Sequence, residues 1–144
     1  MDDKTRRAIF REVEREPFAQ KFQLKLVGLE EGHSVVEMVV TKDMENILGM
    51  THGGALFALI DEAFQTASNS HGTVAVALSM TVNYIAPPME GCRLTAEAKE
   101  ISRTRKTANY DIKVRDEQGH LIASCQALVY RKGIALPFLQ GDSP

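Results

Sequence analysis

From Gly54 to about Ser70 the chain runs at helical length with apolar residues on nearly every face. Up to Phe64 its only polar side chains are Asp61 and Glu62. A helix that is apolar all round has to be enclosed, and no single flat surface would cover it. Its longest uninterrupted apolar run, Ala55–Ile60, is far shorter than the roughly 20 residues that cross a bilayer. The enclosure is therefore protein, and it has to come from the rest of the chain.

The flanking sequence can supply it. Asp2 or Asp3 caps a short first helix that ends near Glu16, where Pro17 stops it. Ile9, Phe10 and Val13 form its apolar stripe. Phe18 and Phe22 lead into a strand at 23–29. Glu30-Glu31-Gly32-His33 turns the chain, and 34–40 is a second strand. Residues 41–51 have no period and read as a loop. After the enclosed helix come four β-rich stretches, 73–86, 93–101, 106–116 and 121–130. Pro87-Pro88 closes the first, and Gln118-Gly119 makes the last hairpin tight. The economical solution is an α+β domain with one antiparallel sheet curled around one long helix, preceded by a short helix. A length of 144 residues fits one domain spanning 1–144, with its core at about 17–132.

Composition narrows the class. The apolar (44%) and charged (25%) fractions are those of a globular protein, and a net charge of -2 gives no overall attraction to nucleic acid or an anionic membrane. Asp-Asp-Lys-Thr-Arg-Arg near the start has no hydrophobic stretch behind it, so a signal peptide is not expected. Cys92 and Cys125 form no metal-ligand spacing and suit a reducing compartment, so the expected location is cytoplasmic. No metal site is expected.

Two chemical devices meet on the enclosed helix. His52-Gly53-Gly54 opens it, and a helix N-terminus offers unpaired backbone N–H groups to an anionic oxygen. Further in, Asp61 sits among Leu56, Phe57, Leu59, Ile60, Ala63 and Phe64, where ionisation is costly unless the charge is paired or used. No lysine or arginine lies within a helical turn of it. An oxyanion donor and a carboxylate on one element suit acyl-group hydrolysis. Glu62 projects about 100° away around the helix and reads as a rim or pairing residue.

The string Asn46-x-x-Gly49-x-x-His52-Gly53-Gly54-x-x-x-x-Leu59-x-Asp61-x-Ala63, set in this order of elements, resembles the hotdog-fold thioesterases, and among them the PaaI-like acyl-CoA thioesterases. The resemblance covers about Pro17 to Lys132. The first helix and the tail Gly133–Pro144 carry none of it. It implies that Asp61 is the catalytic carboxylate, as general base or as nucleophile, and that the Gly53 N–H is the oxyanion donor. Asn46 would orient the attacking water or the thioester carbonyl. Ser79 would hold the water, with Thr81 lining the site. His52 and Gly54 belong to the substrate-binding loop, His52 as a hydrogen-bonding residue rather than an acid or base.

Arg103, Thr104, Arg105 and Lys106 form the densest basic cluster in the second half of the chain, on a turn between strands. Such a cluster is commonly just solvated, yet guanidinium groups suit the phosphates of coenzyme A. The expected substrate is accordingly an acyl-CoA, with no separate cofactor. The resemblance also implies a homodimer with its site between protomers, paired further into a dimer of dimers. Two rivals stand beside hydrolysis: a non-catalytic acyl-CoA sensor, and a hotdog-fold hydratase or dehydratase, whose paired histidine and acid do not match this His-Gly-Gly placement. The acyl group is open, since the chain has no tryptophan and nothing marks an aryl pocket.

Overall fold

The computed structural model describes residues 1–140; residues 141–144, the end of the tail Gly133–Pro144, lie outside them. Helix α1 (Asp3–Arg15) is capped by Asp2, whose carboxylate accepts the Thr5 N–H at 2.7 Å. Pro17 ends α1 but also begins a second helix, α2 (Pro17–Phe22), which the sequence reading had as a lead-in to a strand. The reason is local: proline is pre-set for the first helical position, and Phe18 stacks on Phe22 one turn on, with ring centroids 5.4 Å apart. Strand β1 (Lys25–Glu30) consequently starts two residues late, and β2 (His33–Val39) follows across a tight turn. The 41–51 loop holds one 3₁₀ turn, Lys42–Met44.

Helix α3 (Gly53–Asn69) is followed by β3 (Thr73–Tyr84), β4 (Arg93–Arg103), β5 (Thr107–Arg115), β6 (Leu121–Ala135) and a last 3₁₀ turn, Pro137–Leu139. The six strands form one antiparallel sheet in the order β1-β2-β4-β5-β6-β3. β6 runs five residues beyond Tyr130 because the start of β3 pairs with it, Ala75 with Arg131 and Thr73 with Ala135. Gly119 takes φ +84 in the last hairpin, a conformation closed to most side chains.

The sheet wraps α3. Leu59, Ile60, Ala63, Phe64 and Ala67 are buried against Val36, Met38, Leu94, Ile112 and Val114. Ala96 and Ala98, also fully buried, let the helix approach closely. Phe64 meets Tyr110 edge-on at 5.5 Å, and burying a ring of this size contributes about 1.5–3 kcal/mol. Ser34, buried in this apolar layer, is satisfied by donating to the Ala63 carbonyl at 2.6 Å.

The enclosure is not complete, and this corrects the expectation of a fully wrapped helix. Phe57 is 37% exposed, Gln65 is exposed and Asp61 is half-buried, so one seam at i, i+4 spacing stays open along α3. Strand β3, beside it, is an edge of the sheet with Val76, Leu78, Tyr84 and the following Ile85 exposed. No helix among the described residues is long and apolar enough to cross a membrane.

Candidate active site

The start of α3 is built around His52. Its backbone is extended (φ -64, ψ 134), and its Nδ1 accepts the Gly54 N–H at 2.7 Å. The ring thereby caps the helix, and the Gly54 amide is occupied, so Gly54 offers no hydrogen to a ligand. The Ala55 N–H goes to the His52 carbonyl. The Gly53 N–H meets no acceptor among the described residues, which leaves one open donor at the positive end of the helix. Close packing enforces glycine here: a Cβ on Gly53 would stand 3.2 Å from Tyr84 Cζ, and one on Gly54 2.9 Å from His52 Nδ1.

Asn46 organises the loop in front of this end. Its Oδ1 accepts from the Leu48 and Met50 N–H groups at 2.9 and 3.1 Å, and its own N–H donates to the Met50 carbonyl. Because Oδ1 is fixed by two backbone donors, the side-chain nitrogen is identified, and it keeps both hydrogens unpaired among the described residues. Asn46 can therefore donate to a carbonyl but has no oxygen left for holding a water. The loop also thrusts Ile47 and Leu48 almost wholly into solvent, at 101% and 74% exposure.

Asp61 lies in the middle of the open seam. Burial, and then the charge of Glu16, raise its carboxyl above the ordinary range. Its field is felt at the Cys125 thiol, which burial first and nearby carboxylates second push up to about 11. Glu62 shows the second of its two expected roles, rim or pairing residue. It is buried, and burial together with a hydrogen bond to Glu16 pushes it up to about 9. The Gln65 amide ties the pair together, donating to Glu16 Oε2 at 3.0 Å and Glu62 Oε1 at 3.3 Å. Two carboxylates at hydrogen-bond range hold one proton between them.

Ser79 and Thr81 require a correction. A bulge between Ala77 and Ser79 reverses the faces of β3 partway along. Ala75 and Ala77 share the face of buried Val129 before it, and Met80 and Val82 pack on the core after it. Ser79 and Thr81, alternating with Met80 and Val82, thus project from the side of the sheet away from α3, out of reach of Asp61 in the same chain. The small residue at the open seam is Ala77, which has no hydroxyl.

The basic turn divides in two. Arg103 reaches back to His71 beyond the far end of α3, bonding its ring and pairing with Glu31 at 3.5 Å and Glu100 at 3.7 Å. His71 in turn meets Glu100 at 2.5 Å. Two carboxylates thus pair with the partly exposed Arg103 and compete with any phosphate for it. Thr104 closes the turn, accepting the Thr107 N–H at 3.0 Å. The side chains of Arg105 and Lys106 have no ion-pair partner among the described residues.

Along α3, Gly53 and Asp61 are separated by two turns, about 12 Å at the helical rise. One thioester carbonyl cannot touch both within a single chain. Gln65, Glu16 and Tyr84 are the site neighbours that sequence reasoning missed. Of these only Gln65 was signalled, by lying four residues after Asp61.

Comparison with known proteins agrees with the fold. Residues 48–123 match the model of the thioesterase superfamily. The acyl-coenzyme A thioesterase PaaI of Escherichia coli is 35% identical over 120 residues, covering 83% of this chain and 86% of that protein. A putative esterase of Archaeoglobus fulgidus is 42% identical over 107 residues, covering 74% and 70%. The solved structure of the E. coli PaaI protein superposes with a TM-score of 0.87 at 32% identity, covering 92% of this chain and 96% of that one. With a six-stranded sheet around one helix and relatives of this kind, the chain belongs to the thioesterase superfamily, as a PaaI-like hotdog-fold hydrolase of thioester bonds.

Proposed function

We propose that the protein hydrolyses an acyl-CoA to the carboxylic acid and free coenzyme A, in two identical sites each assembled from two copies of the chain. The observation that carries this reading is the separation of the open Gly53 N–H from Asp61 along one helix. A two-fold axis passing near Phe57, midway between them, lays two α3 helices antiparallel and sets Gly53 of each copy opposite Asp61 of the other. The same contact covers exposed Phe57, the edge strand β3 and the protruding Ile47 and Leu48. An uncovered apolar edge would otherwise be an aggregation hazard. Pairing of dimers into tetramers stays part of the proposal, as does a cytoplasmic location.

In this site Asp61 acts as general base. Burial raises its carboxyl above the ordinary range, which brings it nearer to the working pH of a base. It takes a proton from water as the water oxygen bonds to the thioester carbon. The carbonyl oxygen becomes an oxyanion on the Gly53 N–H of the partner copy, with the Asn46 side-chain N–H as second donor. The carbon–sulfur bond then breaks, and the thiolate leaves and takes up the proton. Water balances the reaction, so no redox cofactor or metal is called for. Arg105 and Lys106 are the cations open to the phosphates of coenzyme A.

Complementation tests the shared site. Asp61→Asn and Gly53→Val are each expected to abolish release of free thiol from an acyl-CoA. Unfolding and refolding them together in equal amounts restores about a quarter of the wild-type sites, because half the dimers are mixed and each mixed dimer holds one intact site. No recovery in mixed dimers would overturn the shared site. Tight binding of acyl-CoA with no thiol release by the wild type would establish the sensor instead. Labelled oxygen found in the Asp61 carboxylate after a single turnover in oxygen-labelled water would replace the general base by direct attack and a mixed anhydride.

A further inference from the structure

We propose that the half-open cavity between α1, the second half of α3, the start of β3 and the last 3₁₀ turn is the acyl subsite, and that it takes an apolar acyl tail carrying no charge at its far end. This rests on the reading of Asp61 as the reacting carboxylate. The cavity has a volume of about 430 Å³, within the range of about 300–1,000 Å³ of small-molecule pockets. Ile9, Val13, Val74, Leu136 and Phe138 supply its apolar wall.

Position ties it to the reaction. Gln65 and Glu16 line the cavity, and Gln65 follows Asp61 by four residues on the open seam, about 6 Å along the helix. Glu16 is also near enough for its charge to reach Asp61. The cavity thus continues the seam beyond Asp61, toward the C-terminal end of its own α3. In the two-copy arrangement the tail of an ester held at Asp61 has this space ahead of it, while coenzyme A leaves past the partner's loop.

Chemistry selects the tail. The polar residues of the wall are already satisfied: Thr66 donates to the Glu62 carbonyl at 2.8 Å, and Asn69 donates to the Gln65 carbonyl at 2.9 Å and accepts the Ala75 N–H at 2.9 Å. No buried side-chain nitrogen or oxygen among the described residues lacks a partner, so nothing inside reaches for a hydroxyl or a second carboxylate. The charged residues of its lining are Glu12, Arg15 and Glu16, a set of net negative charge that disfavours a second carboxylate. Ile9, Val13, Glu16, Leu136 and Phe138 all lie outside residues 48–123, where the superfamily match falls. The shared stretch carries Gly53 and Asp61, and the flanking segments set the specificity.

A series of CoA esters tests this: acetyl, butanoyl, hexanoyl, octanoyl, phenylacetyl and succinyl, followed by thiol release. For the straight chains kcat/KM should rise about fourfold per methylene until the cavity is full. Succinyl should fall below butanoyl, and the phenylacetyl arm separates an aryl tail from an aliphatic one of the same polarity. Val74→Phe, at a half-buried wall position, should lower octanoyl turnover at least tenfold and leave acetyl turnover within twofold. Phe138→Ala should shift the optimum to longer tails. A flat chain-length series, or an equal loss on acetyl and octanoyl in a Val74→Phe protein with a wild-type melting curve, overturns the subsite. So does a Val74→Phe protein that changes its sedimentation and not its chain-length preference, because the cavity then receives a partner subunit. Absence of thiol release from every ester is a different result and sinks the thioesterase reading itself.

Discussion

The two ends of α3 are treated oppositely. At the C-terminal end, Ser70 donates to the Ala67 carbonyl and accepts the Gly32 N–H, and His71, Glu31, Glu100 and Arg103 form a closed set of ion pairs. At the N-terminal end, His52 takes one glycine amide and leaves the next open, and Asn46 keeps an unused donor. Both ends are rich in polar groups, so polarity alone marks neither as the site. What separates them is whether hydrogen-bonding capacity is left over, since an unmatched donor is costly in a structure unless something arrives to take it.

Removing the acid should break this contrast most visibly. Asp61→Asn keeps the shape and is expected to lower kcat by about 10²–10⁴, the range of a general base, in a thiol-release assay. Its melting temperature should be unchanged or higher, because the variant no longer buries a carboxylate without a cation beside it. A variant that lost both fold and activity would make Asp61 a structural group.

Gly53→Ala is the next largest. The added Cβ would lie 3.2 Å from Tyr84 Cζ and 3.4 Å from its Cε1, so helix start and ring must part by a few tenths of an ångström. Shifting the open N–H is expected to reduce kcat by up to about 10² with KM little altered. Tyr84→Ala in the same chain relieves the contact and should recover part of the loss. Failure of that recovery would mean that the glycine serves only the turn.

The fold was largely legible because its signals are local. Apolar patterning located α3 and most strands, and Pro17 located the end of α1. What the sequence left open or misjudged depends on contacts that form only in the fold. The face of Ser79 is set by a one-residue bulge, which no alternation pattern announces. Glu62 was left as a rim or a pairing residue because its partner, Glu16, sits at the junction of α1 and α2, which only the tertiary fold brings beside it. Arg103 looked open because its pairing with Glu100, three residues earlier on β4, and with Glu31 in the β1–β2 turn forms only in the fold. The helix that seemed to need full enclosure keeps a seam, because part of its cover belongs to a second copy in the proposed assembly.

The Glu16–Glu62 pair gives a smaller effect that reports on the middle of α3. Glu62 titrates near 9 in the folded protein against an ordinary 4.5, so across that interval the folded state binds a proton that the unfolded chain has released. Stability therefore falls as pH rises through the interval, by at most about 1.4 kcal/mol per pH unit for one group. Melting curves taken between about pH 5 and 9 should be flatter for Glu62→Gln than for wild type. Equal slopes would show that the pair ionises without cost.

The smallest expected change lies at the closed end, and it is the one that sharpens the comparison. Arg103 is partly exposed and its partners Glu31 and Glu100 are themselves open to solvent to different degrees, so each pair contributes about 0–1 kcal/mol. Arg103→Ala should lower the melting temperature by at most about 2–4 °C and leave KM for an acyl-CoA unaltered. Arg105→Ala and Lys106→Ala should do the reverse: no change in melting, and a KM that rises most at low salt, where exposed charge on the coenzyme phosphates is least screened. If Arg103→Ala raised KM as much as Arg105→Ala, the ion pairs at that end would have to open on binding. The distinction between a closed and an open end of α3 would then describe only the unliganded protein.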